Sequence, residues 1–576
     1  MLPLEEPLLP SPALPPRWPA RVRRACGAFG VIFAVASVAF TLSDHSSSAD
    51  DLSPPKMKFE EASPEMVAVV QREAPPAKRR CEWVIEQVQE HDQNKTRDIL
   101  EAQYALQASS VNMYYRGVDY MFWNDFLNHG WGDFDLTQYL NVADPLELPG
   151  GFGIGNEIKR TSAWTWITGD QHLSNFGAWK NRAGTVVFGV NDFDEAVVFD
   201  FQMDIWRLAV SIYDHALSNA YSVTQAVSAV VAFTDVYIDT LQGYVGNEGA
   251  LLFEITQSKA TGKLQQFLQV TESQNSAAEQ LRVFTTVGPD GKRQFIKDES
   301  TKLRPIDNAT RDQILQAWNI EGYGATLSKI GWHQMEFSQE YFAIIDMATR
   351  VGSGDGSFGA TRYYLLIAGG DKMRPNEPNV ILDVKLAPPP AMRKYVGLAD
   401  AAWYSTLFHN EGSRVNLAQR ALTTFTDPYT GWIKVNDEIL SIRQRSPWKA
   451  SFDLDSLTNF DEFIEFVQQT AIVTATSHAR GTVARSPSAF KEVVTAVLGR
   501  KETKAAWGAK VAAIATGYRE QLMLDYECFR DWVIDMFPNN SELVLNGGER
   551  AIRKHFRFKP TNSDVSDDQQ DQDSAA

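Results

Sequence analysis

TWITGDQHLSNFGAWKNRAGTVVFGVNDFDEA, residues 165–196, sets polar clusters on either side of two apolar runs. Asp170, His172 and Asn175 precede the first run; Asn191, Asp192 and Asp194 follow the second. Carboxylates among Trp, Ile, Val and Phe are costly to bury unless paired, hydrogen-bonded or bound to a cation. TVVFGV reads as a β-strand, NRAG before it as a turn, and GAWK as the opposing strand. The hairpin returns Asp192 beside Asn175 and Asp170. Converging acidic and amide oxygens suit magnesium, a hard cation that often shares its ligands with phosphates. In phosphoryl transfer one Asp orients or deprotonates the attacking hydroxyl, while an Asn and a second Asp hold the metal.

The flanking segments extend this pattern. DFQMDIWRLAVSIYDHALSNA carries Ile205, Leu208, Ala209, Ile212 and Ala216 on one helical stripe. Asp204 and Arg207, one turn apart on that helix, are expected to brace the loop through an ion pair. TRYYLLI and VILDVKLA read as strands. Before them, GSGDGSFG supplies Gly354, Gly356, Ser357 and Gly359. A dinucleotide site needs a helix after such a loop; here a strand follows, which is how kinases cover nucleotide phosphates. Lys385, among apolar strand residues, needs an anionic partner. Nucleotide phosphates would supply one, and Glu411 in HNEGSRV is a candidate helix partner. Arg116, His478 and Arg480 read as bracing groups or phosphate contacts. After residue 400 the chain is mostly helical, so the class is α+β with strands in two clusters.

GDQHLSN resembles the catalytic loop of aminoglycoside-phosphotransferase-like kinases, with Asp170 and Asn175 five positions apart, and NDFDEA resembles their metal-binding segment. The fuller string GDQHLSNFG…VFGVNDFDEAVVFDFQMDIWRLAVS resembles the DUF2252 family, a group placed with kinase-like proteins. YYRGVDYMFWNDF, VGSGDGSFGATRYYLLI, VKLA, GSRVNLAQR, SHARGT and YREQLMLDYECF match it more loosely, so the resemblance covers roughly residues 112–532. It implies a two-lobed protein-kinase-like fold that binds ATP and Mg2+. Asp170 would be the catalytic base with His172 beside it, and Asn175, Asp192 and Asp194 the metal ligands. The glycine loop and Lys385, with Glu411, would hold the nucleotide. The catalytic loop precedes the glycine loop, so the motif order is permuted relative to ordinary kinases.

The termini frame this domain. Of 576 residues, 44% are hydrophobic and 22% charged, enough for a large core. A net charge of −17 argues against nucleic-acid binding through a basic surface. Arg17, Arg21, Arg23 and Arg24 precede an uncharged run at residues 25–43. That run reads as a transmembrane signal anchor with a cytoplasmic N-terminal segment (1–24) and a lumenal or extracellular globular domain. A cleaved signal peptide, giving a secreted chain, is the alternative. Residues 44–80 read as a disordered stem, 81–558 as the globular domain and 559–576 as a disordered acidic tail. The sequons at Asn94, Asn308 and Asn539 permit a secretory route. The three cysteines include no CxxC pair, and Cys81 and Cys528 are either free or paired. The reading is a membrane-anchored phosphotransferase using magnesium-ATP, whose acceptor the sequence leaves open. A nucleotide- or partner-binding pseudokinase and a metal-dependent hydrolase are the alternatives.

Overall fold

Period-two alternation in the strands builds a sheet with two unlike faces. The computed structural model describes residues 80–128, 163–329, 336–351, 361–370, 378–396, 398–485 and 490–556. The expected anchor at 25–43, nearly all of the stem, the glycine segment with Gly354, Gly356, Ser357 and Gly359, and the acidic tail lie outside the described residues. No helix among the described residues is long and apolar enough to cross a membrane. Arg80, the last residue of the expected stem, opens a helix and makes buried ion pairs.

In chain order the strands are β1 (Trp164–Ile167), β2 (Phe176–Lys180), β3 (Val186–Val190), β4 (Val197–Asp200), β5 (Ile255–Thr256), β6 (Thr285–Val287) and β7 (Arg293–Phe295). β8 (Leu303–Arg304), β9 (Ile344–Arg350), β10 (Arg362–Ile367), β11 (Val380–Leu386), β12 (Gly431–Val435), β13 (Glu438–Gln444) and β14 (Ala450–Ser451) follow. Six form one sheet in the order β12-β13-β11-β10-β9-β8, and four form another in the order β14-β2-β3-β5. β1 pairs with β4 and β6 with β7. The expected hairpin is present: Phe176 faces Val190 and Lys180 faces Val186.

In the six-stranded sheet, Leu365, Ile367, Leu382, Val384, Leu440 and Ile442 share one core with Ile314 and Tyr323 from two covering helices and Trp318 just after the first. On the opposite face Ala348, Leu366 and Ile381 pack with Leu281, Phe284 and Phe295. Farther along, that second face becomes polar. Arg362 sits opposite Lys385, Tyr364 opposite Asp383, and Asp383 opposite Arg443. A strand covered at one end and charged at the other is a wall over a site.

The largest core belongs to the helices. The main ones are α1 (Arg80–Asp92), α2 (Gln202–Ser218), α3 (Val223–Gly243), α4 (Glu411–Leu422), α5 (Phe460–Arg485) and α6 (Lys501–Met536). α3 starts at a capping box in which Ser222 accepts from Gln225 N and the Gln225 side chain reaches back. α2 is buried along nearly its whole length, so it can fix whatever rests on it. The helical stripe and the two long C-terminal helices stand as the sequence indicates.

α1 is tied to α6 by covalent and ionic links. Cys81 and Cys528, 447 positions apart, form a disulfide with Cα atoms 5.6 Å apart. Next to it Arg80 donates to Asp125 at 2.6 and 2.7 Å and to Asp525 at 2.6 Å. Tyr518 Oη donates to Asp125 Oδ2 at 3.0 Å. Closing so long a loop restricts the unfolded chain, so replacing both cysteines with serine is expected to cost roughly 2–4 kcal/mol. The measurement is the denaturant midpoint of the purified protein, and reductant should bring the unmodified chain down to the midpoint of the double variant. Equal midpoints throughout would show that the bond contributes nothing.

Candidate functional site

The loop between β1 and β2 is held from below by one buried carboxylate. Asp204 on α2 accepts from Thr168 N at 2.7 Å and Thr168 Oγ1 at 2.9 Å through Oδ2, and from Gly169 N at 2.9 Å through Oδ1. His478 on α5 adds Nε2 at 3.2 Å from Oδ2, and its other ring nitrogen lies 2.8 Å from Tyr237 Oη. Gly169 has φ +75°, and a Cβ there would meet the Glu195 carbonyl oxygen at 2.2 Å, so only glycine fits the turn. Trp123 Nε1 donates to the Gly169 carbonyl at 3.1 Å. The next residue is Asp170.

Asp170 is gripped on one oxygen. Arg207 Nε and Nη2 both lie 2.6 Å from Oδ1, while His172 Nε2 stands 3.7 Å from Oδ2. Burial pushes the Asp170 carboxyl up to about 7, and the pair with Arg207 offsets only part of that push. Asp119 and Asp192 add to it. His172 is driven well below its ordinary value by burial and then by Arg116 and Arg207, so its ring is neutral. Asn175 Nδ2 donates to the Asp170 carbonyl at 2.7 Å, which orients its amide oxygen as a remaining donor to a cation.

The hairpin closes the arrangement. Asn191 N donates to the Asn175 carbonyl at 3.1 Å, bringing the start of NDFDEA beside the loop. Asp192 Oδ1 accepts weakly from Asp194 N at 3.4 Å. Burial acts to raise Asp192, but Lys385, Arg443 and Lys449 outweigh it and hold the carboxyl below its usual range. The Asp194 carboxylate takes Lys385 Nζ directly. Burial works against the Lys385 charge, yet Asp194 and Asp192 raise it above the ordinary lysine value.

Asn175, Asp192 and the polar face of the six-stranded sheet line a cleft of about 400 Å3. Its lining includes eight Arg or Lys side chains against three Asp, in a chain whose net charge is −17. Lys385 and Asp194 lie in a small adjoining recess with Asn416 and Gln419 of α4.

Residues 97–532 match the family model described as "Uncharacterized protein conserved in bacteria (DUF2252)". The chain belongs to the DUF2252 family. No curated protein and no solved structure gives a significant match.

All of the candidate residues lie within the DUF2252 match. The structure brings Asn175 and Asp192 into the cleft lining, holds Asp170 and His172 in the loop that carries Asn175, and pairs Lys385 with Asp194. It does not bring Glu411 to Lys385: Glu411 accepts from Arg414 Nε at 2.6 Å and Tyr404 Oη at 2.8 Å. Asp204 and Arg207 do brace the loop, but through Thr168, Gly169 and Asp170 rather than through each other. Arg480 donates to the Leu422 and Phe253 carbonyls, both at 2.7 Å, and so acts inside the fold. Sequence reasoning passed over Arg362, Arg443, Arg445 and Lys449. The available signal was IRQRSPWK, where alternate arginines on a strand must share one face.

Oxygen donors of the Asn175 and Asp192 type fit magnesium, which commonly takes one or two carboxylate ligands and leaves the rest to water and phosphate. No cluster of three His, Cys, Asp or Glu side chains stands ready for a metal among the described residues.

Proposed function

We propose that this DUF2252 chain is a kinase-like, magnesium-dependent phosphotransferase using ATP, with a permuted motif order. The observation that carries the reading is the loop: Asp170 poised at about 7, with Asn175 fastened to its carbonyl and facing the same cleft as Asp192. Such a carboxylate can accept a proton from an acceptor hydroxyl near neutral pH. Asn175 and Asp192 would hold magnesium, which supplies charge neutralisation for the transferring phosphate. Further support comes from β9 and β10, the antiparallel neighbours joined by the glycine segment, with Lys385 on the next strand, β11. Kinases use this relation between glycine loop and lysine.

The Lys385–Asp194 pair favours a second reading, a nucleotide-binding pseudokinase without turnover, because each charge already satisfies the other. For location we propose the secretory route with a membrane anchor at residues 25–43. The Cys81–Cys528 bond supports an oxidising compartment.

Magnesium-titrated ATP binding tests the assignment. Asp192→Asn keeps the shape but replaces a charged oxygen donor with an amide, a poorer ligand for a hard dication. Magnesium-dependent ATP affinity is expected to fall at least roughly tenfold, the scale of a weakened metal site. Equal affinity in both proteins would remove Asp192 from the metal site, and with it the phosphotransferase reading of the hairpin. Turnover by the unmodified protein separates the enzyme from the pseudokinase.

A further inference from the structure

The Asn175–Asp192 end accounts for only part of the cleft. Lys180 follows Asn175 by five positions along β2, a span of about 17 Å in an extended strand. At that end Lys180 Nζ lies 3.8 Å from the centre of the Trp448 ring, and Lys180 N lies 3.3 Å from Ser446 Oγ. Lys449 follows in the same turn. Arg443 and Arg445 approach from β13 and its end: Arg443 Nη1 donates to the Asn191 carbonyl at 3.1 Å, and Arg445 Nε to Tyr364 Oη at 3.2 Å. Among the described residues, none of these four cations has a carboxylate within ion-pairing distance.

The cations also crowd one another. Burial, then Arg362 and Arg445, pull Arg350 on the same wall below the ordinary arginine value. The Lys449 side chain is exposed, yet burial of its ammonium, then Arg443 and Arg362, push it down to about 7 against the pull of Asp383 and Asp192. A nucleotide whose phosphates are partly neutralised by magnesium answers only part of this excess. Eight Arg or Lys side chains against three Asp leave an excess of like charge that an incoming anion stabilises.

We propose that Lys180, Arg443, Arg445 and Lys449 form an anion subsite in the cleft, reaching from beside Asn191 to the Lys180 end of β2, which takes a phosphate group of a small phosphorylated ligand. The volume is that of a small-molecule site. The subsite rests on the phosphotransferase reading only in sharing its cleft, and the phosphate belongs either to the acceptor or to the donor.

The test is calorimetric titration of the purified protein with inorganic pyrophosphate, first without magnesium. The unmodified protein is expected to bind, and Lys180→Ala with Lys449→Ala to bind at least roughly tenfold more weakly, the scale of one lost charge-assisted contact. Lys449→Arg should bind like the unmodified protein, and thermal unfolding should be unchanged in both variants. Absence of pyrophosphate binding by the unmodified protein, or equal binding by the double variant, overturns the subsite. Repeating the titration with saturating magnesium-ATP assigns the source: additive binding places the phosphate on the acceptor, and competition places it on the donor. If magnesium-ATP does not bind while pyrophosphate still depends on Lys449, the subsite stands and the phosphotransferase reading falls.

Discussion

Asp170→Asn is expected to lower turnover by roughly 10²–10⁴-fold, the scale of a lost general base, while magnesium-ATP affinity stays near that of the unmodified protein. The amide keeps an oxygen for Arg207 and leaves Asn175 and Asp192 in place, so the loss falls on proton acceptance rather than on nucleotide binding. The pH dependence identifies the group. With the carboxyl raised to about 7, kcat/KM should climb with pH and level off above about 7, because only the deprotonated form accepts a proton. His172, held well below its ordinary value, has already lost its charge in that range. An acid limb near 7 that persists in the Asn variant would place the base elsewhere. Stability provides an independent check with its own sign. The unfolded carboxyl titrates at about 3.9. Between there and about 7 the folded chain therefore holds a proton that the unfolded chain does not, and stability falls as pH rises through that window. Asp170→Asn should flatten this fall, and chemical unfolding at pH 5 and pH 8 measures it.

Local pattern made the elements legible. NRAG between two alternating runs gave the hairpin, and the stripe from Ile205 to Ala216 gave α2. Asp170, Asn175 and Asp192 lie close together in the chain, so one hairpin was enough to predict that they meet. Contacts between distant segments were not legible. Lys385 meets Asp194 across 191 positions, and the nearer acidic residue, Glu411, is occupied by Arg414, its neighbour one helical turn away. Likewise the cationic wall draws Lys180 from the hairpin sheet and Arg443 from the six-stranded sheet. IRQRSPWK is basic alone, but Lys180 joins it only once the two sheets face each other. The Cys81–Cys528 bond depends on α1 lying against α6, which no local rule specifies.

Asp204→Ala is expected to destabilise the fold by at least roughly 4 kcal/mol, because it strips partners from several buried donors together. The N–H groups of Thr168 and Gly169 would be left inside a core where water cannot replace the carboxylate, and His478 would lose the acceptor at its Nε2. Asp204→Asn is expected to be nearly as costly. An amide offers one acceptor oxygen where the carboxylate serves backbone donors with two, so its NH2 must face one of the two backbone N–H groups. The result is read as a lower denaturant midpoint for both variants, with Asn recovering only a minor part. The functional consequence separates this brace from a general core residue. Gly169 holds its left-handed turn between Asp204 below and Trp123 beside it, and Asp170 takes its position from that turn. At temperatures where the variant remains folded, turnover should therefore fall further than the folded fraction does, and its acid limb should move away from about 7 as the Asp170–Arg207 geometry relaxes. Turnover that tracks the folded fraction with an unmoved limb would make Asp204 a stabilising residue only, and the aim of Asp170 would then depend on Arg207 alone.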